Sequence, residues 1–278
     1  MTAGGAGSVG GAGAPGARGV ELEGTLRQAV AGGRKLLVTY VTGGVRPDWV
    51  DVLMAMVDAG ADAVEIGLPF SDPVMDGPTI QEASVAALRA GATPASIAGA
   101  LRPCEVPAPL VAMTYYNLVA SSGHRRFASL LAGAGMRGAI VPDLPLEELG
   151  DWEKAAQAAG VAPVLLAAPV SSDSRLAALC ARSRGFVYGV NLMGVTGERE
   201  TVAASAAVLA TRLKAVTSLP VVMGFGVSTP AQAADIAAGA DGVVVASALM
   251  RQVLAGDPPA AIGRAVAAFR SALGGRAR

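Results

Sequence analysis

From Leu36 onward the chain repeats one pattern: a short apolar run rich in β-branched residues, a turn, and a longer Ala/Leu-rich amphipathic run. The short runs are Leu37–Val41, Ala63–Leu68, Leu110–Tyr115, Ala139–Val141, Pro163–Ala168, Phe186–Val190, Val221–Phe225 and Gly242–Ala246. Apolar runs without polar alternation predict strands covered on both faces, as in a parallel sheet. Between them, Asp48–Ala59, Thr79–Ala90, Glu147–Ala159, Ser174–Arg182, Val202–Val216 and Ala231–Ala238 carry the helical period. Ala-Gly pairs at 59–60, 90–91, 159–160 and 238–239 read as C-terminal caps ahead of the next strand. One further helix, Glu21–Ala31, precedes the first strand, and another, Pro259–Leu273, closes the chain. Eight strand–helix units in about 250 residues predict an α/β fold, a single (β/α)8 TIM barrel with an extra N-terminal helix, rather than an open doubly wound sheet.

Composition narrows the picture. The chain has 278 residues, is 52% hydrophobic, and shows no compositional break, so residues 19–278 read as one catalytic domain. Residues 1–18 are mostly Gly, Ala and Ser and read as a disordered tail, unable to bury enough surface to offset its ordering entropy. The tail lacks the basic start and apolar core of a signal peptide, and no stretch of about 18 apolar residues follows. The expectation is a cytoplasmic protein that meets no membrane. A formal net charge of zero without a basic run argues against nucleic acid as a partner. Cys104 and Cys180 lie far apart and form no metal motif, so each reads as a buried thiol. His124, beside Arg125 and Arg126 at a helix start, reads as solvated rather than catalytic.

In a (β/α)8 barrel, catalytic groups sit at the carboxyl ends of the strands and on the loops that follow. Glu65 lies inside the second apolar run, among Val64, Ile66 and Leu68. A carboxylate there faces the cavity mouth, where desolvation raises its pKa toward that of a general acid, or else pairs with a buried Arg or Lys. The loop from Pro69 to Pro78 adds Asp72 and Asp76. Asp72 fits a turn former and Asp76 an N-cap of the next helix, as well as either fits chemistry. Glycines at Gly194–Gly197, Gly224–Gly226 and the Ala246-Ser247-Ala248 segment follow the sixth, seventh and eighth runs. Glycines and a helix N-terminus at these strand ends point to a phosphorylated substrate.

Taken together, the segment Glu65–Gln81 and these strand ends resemble the tryptophan synthase alpha chain, and the resemblance covers Leu36 to Ala272. It implies retro-aldol cleavage of indole-3-glycerol phosphate to indole and glyceraldehyde 3-phosphate, with no metal or organic cofactor. It implies that Glu65 protonates indole C3 and later accepts the glycerol hydroxyl proton, while Asp76 takes the indole N–H. Tyr188 matches the family's tyrosine near the glycerol chain, Thr196 a threonine on a closing loop, and Gly197, Gly226 and Ser247 phosphate contacts. Tyr40 and Asp143 match residues that line the indole pocket. The resemblance also implies a tryptophan synthase beta chain as partner in an α2β2 assembly, docked on Pro69–Asp72 and the loop after the third strand. A stand-alone lyase, a non-catalytic activator of a beta chain and another phosphate-binding barrel are the competing readings. The chain departs from the family's pattern in three places. Gly43-Gly44-Val45-Arg46-Pro47 stands where Gly-Asp-Pro is usual, Ala246 where Gly begins the phosphate motif, and small residues follow Asn117-Leu118.

Overall fold

The computed structural model describes residues 19–190, 199–224 and 226–274. Helix α1 (Leu22–Ala31) leads into β1 (Leu36–Thr42), α2 (Trp49–Asp58), β2 (Ala63–Gly67), α3 (Pro78–Arg89) and α4 (Pro94–Leu101). Then come β3 (Leu110–Met113), α5 (Tyr116–Ser122), α6 (His124–Gly133), β4 (Met136–Ile140) and α7 (Gly150–Ala158). The remainder comprises β5 (Ala162–Pro163), β6 (Leu165–Ala167), α8 (Asp173–Arg182), β7 (Val187–Val190), α9 (Arg199–Lys214), β8 (Val221–Gly224), α10 (Pro230–Gly239), β9 (Gly242–Val245), α11 (Ser247–Leu254) and α12 (Pro259–Ala272).

The strands pair in parallel in the order β5-β4-β3-β2-β1-β9-β8-β7-β6. Segments β5 and β6 are one barrel strand broken at a proline. Pro163 has no N–H to give, and the Leu165 N–H donates to Ser183 Oγ at 3.1 Å instead of joining a ladder. The Val164 N–H still reaches the Ala139 carbonyl at 2.9 Å. This fifth strand therefore starts against β4 and finishes against β7, and the sheet closes into the expected (β/α)8 barrel with its extra N-terminal helix.

Alternation along the strands sends Leu36, Val38, Ala63, Val111, Ile140, Val222 and Val244 inward, and Leu22 and Leu26 of α1 pack onto them at the amino-terminal end. Gly138 makes this plug possible, since a Cβ there would lie 2.7 Å from Leu22 Cδ2. Each buried Leu, Ile or Val among these contributes about 1.5–3 kcal/mol. At the same end, the fully buried Arg270 of α12 donates to Asp62 Oδ2 at 2.8 Å and to the Lys35 carbonyl at 2.7 Å. Asp62 also accepts the Leu37 N–H, and Asp241, in the matching Gly-Ala-Asp ahead of β9, accepts the Val221 N–H. Stability is thus concentrated at one end and in the outer layer of helices, which leaves the carboxyl ends of the strands to carry polar groups.

Differences from the expected elements are local. Glu147–Ala159 divides into a 3-10 turn at Leu146–Glu148 followed by α7. Gly60, Gly91 and Gly160 do follow helix ends with positive φ, but Gly239 does not. It is the last residue of α10, with the extended Ala240 as C-cap, and it lets α9 approach: an added Cβ would meet Ala207 Cα at 3.4 Å. The segment after β3 is not a loop but helix α5. Cys180 is buried as expected and Cys104 half-buried, neither in a disulfide. His124 does start a helix, half-buried, with its ring 3.0 Å from the Tyr116 hydroxyl. No described helix is long and apolar enough to cross a membrane. The tail at 1–18 lies outside the described residues.

Candidate active site

Strand β2 places Ala63 inside the barrel, so Glu65 and Gly67 face the same way, one and two pleats nearer the carboxyl end. Glu65 is 1% exposed, and its Oε1 has no hydrogen-bond partner among the described residues. Among the described residues no Arg or Lys pairs with Glu65, and the buried Arg270 is committed to Asp62. Tyr40 of β1 stands in register with Glu65. Gly67 leaves the space that the Tyr40 hydroxyl fills, where it shares a hydrogen bond with Thr42 Oγ1 at 3.2 Å. Across the barrel, Gly224 makes room for the Tyr188 ring in the same way. Burial pushes the Glu65 carboxyl up to about 8, with the charge of Asp76 adding to the shift. Burial and the same two carboxylates hold the Tyr188 hydroxyl well above its ordinary value.

Asp76 closes this cluster from the loop between β2 and α3. It is not the N-cap of α3, a position taken by Gly77, and its side chain caps nothing. Its backbone is fixed instead: the N–H donates to the Pro73 carbonyl at 3.0 Å, and its carbonyl accepts from Gln81 Nε2 at 2.9 Å. The carboxyl lies mostly buried, and desolvation raises its pKa to about 6 against the lowering effect of a hydrogen bond from Tyr115. Asp72 is exposed and sits in a tight turn, its backbone carbonyl accepting the Val74 N–H at 2.9 Å and its side chain accepting from Ser71 Oγ.

Tyr115 is the residue that sequence reasoning missed. It ends the third apolar run and looks like one more strand hydrophobe. Its position at the carboxyl end of β3, with a polar tip on an aromatic body, was the signal available. Asp143 sits beside it, exposed, accepting the Tyr116 N–H at 2.9 Å at the start of α5. The structure therefore brings Tyr40, Glu65, Asp76 and Tyr188 together, with Asp143 at the edge.

The expected phosphate end lies after β8 and β9. Gly226 has φ +69°, with open space where a Cβ would stand. Ser247 is the first residue of α11, whose N-cap, Ala246, makes no side-chain cap. By contrast, Thr229 and Gln232 seal the N-terminus of α10 with a capping box. The uncapped start of α11 is thus the one disposed to accept an anion. Ala246 has φ −113°, within reach of any residue, so the methyl in place of the usual glycine costs no backbone strain. Arg46, in the altered loop after β1, forks onto Asp48 and reaches the Val253 and Asp257 carbonyls near the end of α11. Thr196 and Gly197 lie outside the described residues.

The sequence profile of the tryptophan synthase alpha chain matches residues 26–270, nearly the whole barrel. The chain belongs to the tryptophan synthase alpha chain family. Among its relatives, the tryptophan synthase alpha chain of Thermobifida fusca is 47% identical over 236 residues, covering 82% of this chain and 87% of the relative. That of Streptomyces avermitilis is 43% identical over 260 residues, covering 92% and 94%. Among solved structures, Mycobacterium tuberculosis tryptophan synthase in its ligand-free form superposes with a TM-score of 0.80 at 36% identity, covering 90% of this chain and 97% of that one. Tryptophan synthase subunit alpha from Legionella pneumophila gives 0.81 at 31% identity, covering 90% and 97%. As a tryptophan synthase alpha chain family member, the protein is a carbon–carbon lyase of tryptophan biosynthesis that cleaves indole-3-glycerol phosphate.

Proposed function

We propose that Glu65 and Asp76 are the acid–base pair of indole-3-glycerol phosphate cleavage in this chain. The observation that carries the reading is a buried carboxyl in the barrel mouth whose Oε1 has no hydrogen-bond partner among the described residues, pushed up to about 8 by burial beside a second carboxyl. Glu65 donates its proton to indole C3, and Asp76 accepts the ring N–H and stabilises the positive charge that develops on the ring. Glu65, now a carboxylate, takes the proton of the glycerol hydroxyl. That C–O bond becomes the aldehyde carbonyl, and the electrons of the breaking C–C bond restore the indole ring. Tyr40 and Tyr188 line the cavity on either side, and Asp143 borders the indole pocket. Gly226, Ser247 and the α11 N-terminus, with Gly197, hold the phosphate, and Thr196 serves Asp76 as the family resemblance implies. No cofactor takes part. We place the chain in the cytoplasm, in an α2β2 assembly with a tryptophan synthase beta chain. In support, Val74 and Met75, next to Asp76, leave apolar side chains 78% and 47% exposed.

Glu65→Gln tests the acid. The variant should fold, judged by circular dichroism, and release indole at least about 100-fold more slowly. Retention of more than half the wild-type kcat would remove Glu65 from the reaction.

A further inference from the structure

We propose that Tyr115 is a positioning residue for Asp76, fixing the loop that carries its carboxylate through one hydroxyl and one ring. The proposal rests on the role given to Asp76 above. Tyr115 is 4% exposed, at the end of β3 and at the N-cap of α5. Its Oη accepts the Met75 N–H at 3.0 Å. That contact uses a lone pair and leaves the single phenolic proton free for the neighbouring Asp76 carboxylate, which the Tyr115 hydroxyl holds down against the raising effect of burial. The ring meanwhile stacks on Phe70, centroids 5.1 Å apart and planes 25° from parallel. One side chain therefore grips the catalytic loop at both ends, Phe70 where it leaves β2 and Met75-Asp76 where it enters α3. Without this grip the carboxylate has no side-chain anchor among the described residues, because α3 takes Gly77 as its N-cap.

The arrangement has a direction as well as a geometry. The titratable groups around Asp76 are Glu65 from β2, Tyr40 from β1, Tyr188 from β7 and Tyr115 from β3, with Asp143 acting on Tyr115 from the loop after β4. All are acids, none a cation. Burial raises the Asp76 carboxyl, and the Tyr115 hydrogen bond is what opposes it. A carboxylate that must be ionised to accept the indole N–H thus owes part of its ionisation to Tyr115.

The test is the pH dependence of kcat/KM for indole release. Tyr115→Phe keeps the ring and its stacking but loses the proton. The acid limb should move up by about one pH unit, and activity at pH 6 should fall further than at pH 7.5. Binding of glycerol 3-phosphate, which reports the phosphate end, should change less than about twofold. Phe70→Leu removes the stacking and leaves the hydroxyl, so its acid limb should stay in place. Fluorotyrosine at position 115, a stronger donor of the same shape, should move the limb down, a readout that holds even if Tyr115→Phe folds poorly. An acid limb unmoved by both replacements at 115, or moved equally by Phe70→Leu, overturns the proposal. Asp76→Asn separates the two readings. If it keeps more than half of kcat, the role of Asp76 itself fails; if it is inactive while the limb of the Tyr115 replacements stays put, only the positioning role fails.

Discussion

Burial holds the Glu65 carboxyl protonated up to about pH 8, whereas Asp76, eased by the Tyr115 hydroxyl, ionises near 6. Two carboxyls with the same intrinsic chemistry are thus separated into an acid and an anion by their surroundings. The working form has Glu65 protonated and Asp76 ionised, so kcat/KM should be bell-shaped, rising through about pH 6 and falling through about pH 8. A flat profile from pH 5 to 9 would contradict the pairing. The same shift has a stability sign. The folded pKa of Glu65 lies above its ordinary value of 4.5, so its contribution is full below that value and is lost as pH rises through about 8. The Glu65→Gln chain, which cannot ionise, should lose less of its Tm between pH 6 and 9 than wild type. At this scale the sequence revealed the carboxyls but not their partners. A lone acid among Val64, Ile66 and Leu68 was legible, whereas its lack of an ion pair among the described residues shows only in the structure, where Arg270 engages Asp62 at the opposite end of the barrel. Asp76 read equally well as a cap until Gly77 was found there. Tyr115 stayed hidden because its function depends on Phe70 and Met75, neighbours some 40 residues away in sequence.

Among the elements, α11 matters most to binding. Eight residues long and uncapped at Ala246, it starts at the end of β9, the strand paired with β8, whose following left-handed turn is Gly226. The space over Gly226 is open, so Gly226→Asp would place a carboxylate where a phosphate is expected, and a left-handed aspartate adds about 1–2 kcal/mol of strain. KM for indole-3-glycerol phosphate should rise at least about tenfold. Equal calorimetric affinity of wild type and variant for glycerol 3-phosphate would place the phosphate elsewhere. Strands were the most legible elements, since buried parallel strands are continuous apolar runs, and all eight runs do enter the barrel. The break within the fifth was foreseeable only in that Pro163 cannot donate to a ladder. Helices α4 and α5 escaped notice because eight and seven residues give too few turns for a period to stand out. At Gly239 the Ala-Gly pair does mark a helix end, as the last residue of α10 rather than as a left-handed cap, and it also allows a close crossing with α9.

On the scale of the whole molecule, the two ends of the barrel are built for different work. The amino-terminal end is sealed by α1 and tied by Arg270 and Asp62, and the carboxyl end carries the carboxyls, the anion-ready helix and exposed apolar side chains. Barrel closure was legible in the count of eight runs, because a parallel sheet of that size buries its edges by closing. Which surface meets a partner was not, since that depends on side chains that the fold leaves uncovered. Val74 and Met75 after β2 and Val170 after β6 lie on loops at the carboxyl end, with Val74 and Val170 each 78% exposed. An apolar hot spot in an interface is worth about 2 kcal/mol or more, and small Ala120 and Ser121 on α5 offer less than a bulky residue would. Docking of a beta chain should therefore occur, more weakly than the family's usual pattern implies. A partner seated on the Val74-Met75 segment would hold the adjacent Asp76 near Tyr115, so indole release should speed up when it binds. Titrating a beta chain from the same organism into the assay, with sedimentation in parallel, measures both effects. Val74→Asp should weaken the complex while leaving the isolated chain's kcat within about twofold. Fast release by the chain alone, with neither rate nor sedimentation changing at micromolar beta chain, would replace the subunit reading with that of a stand-alone lyase delivering free indole.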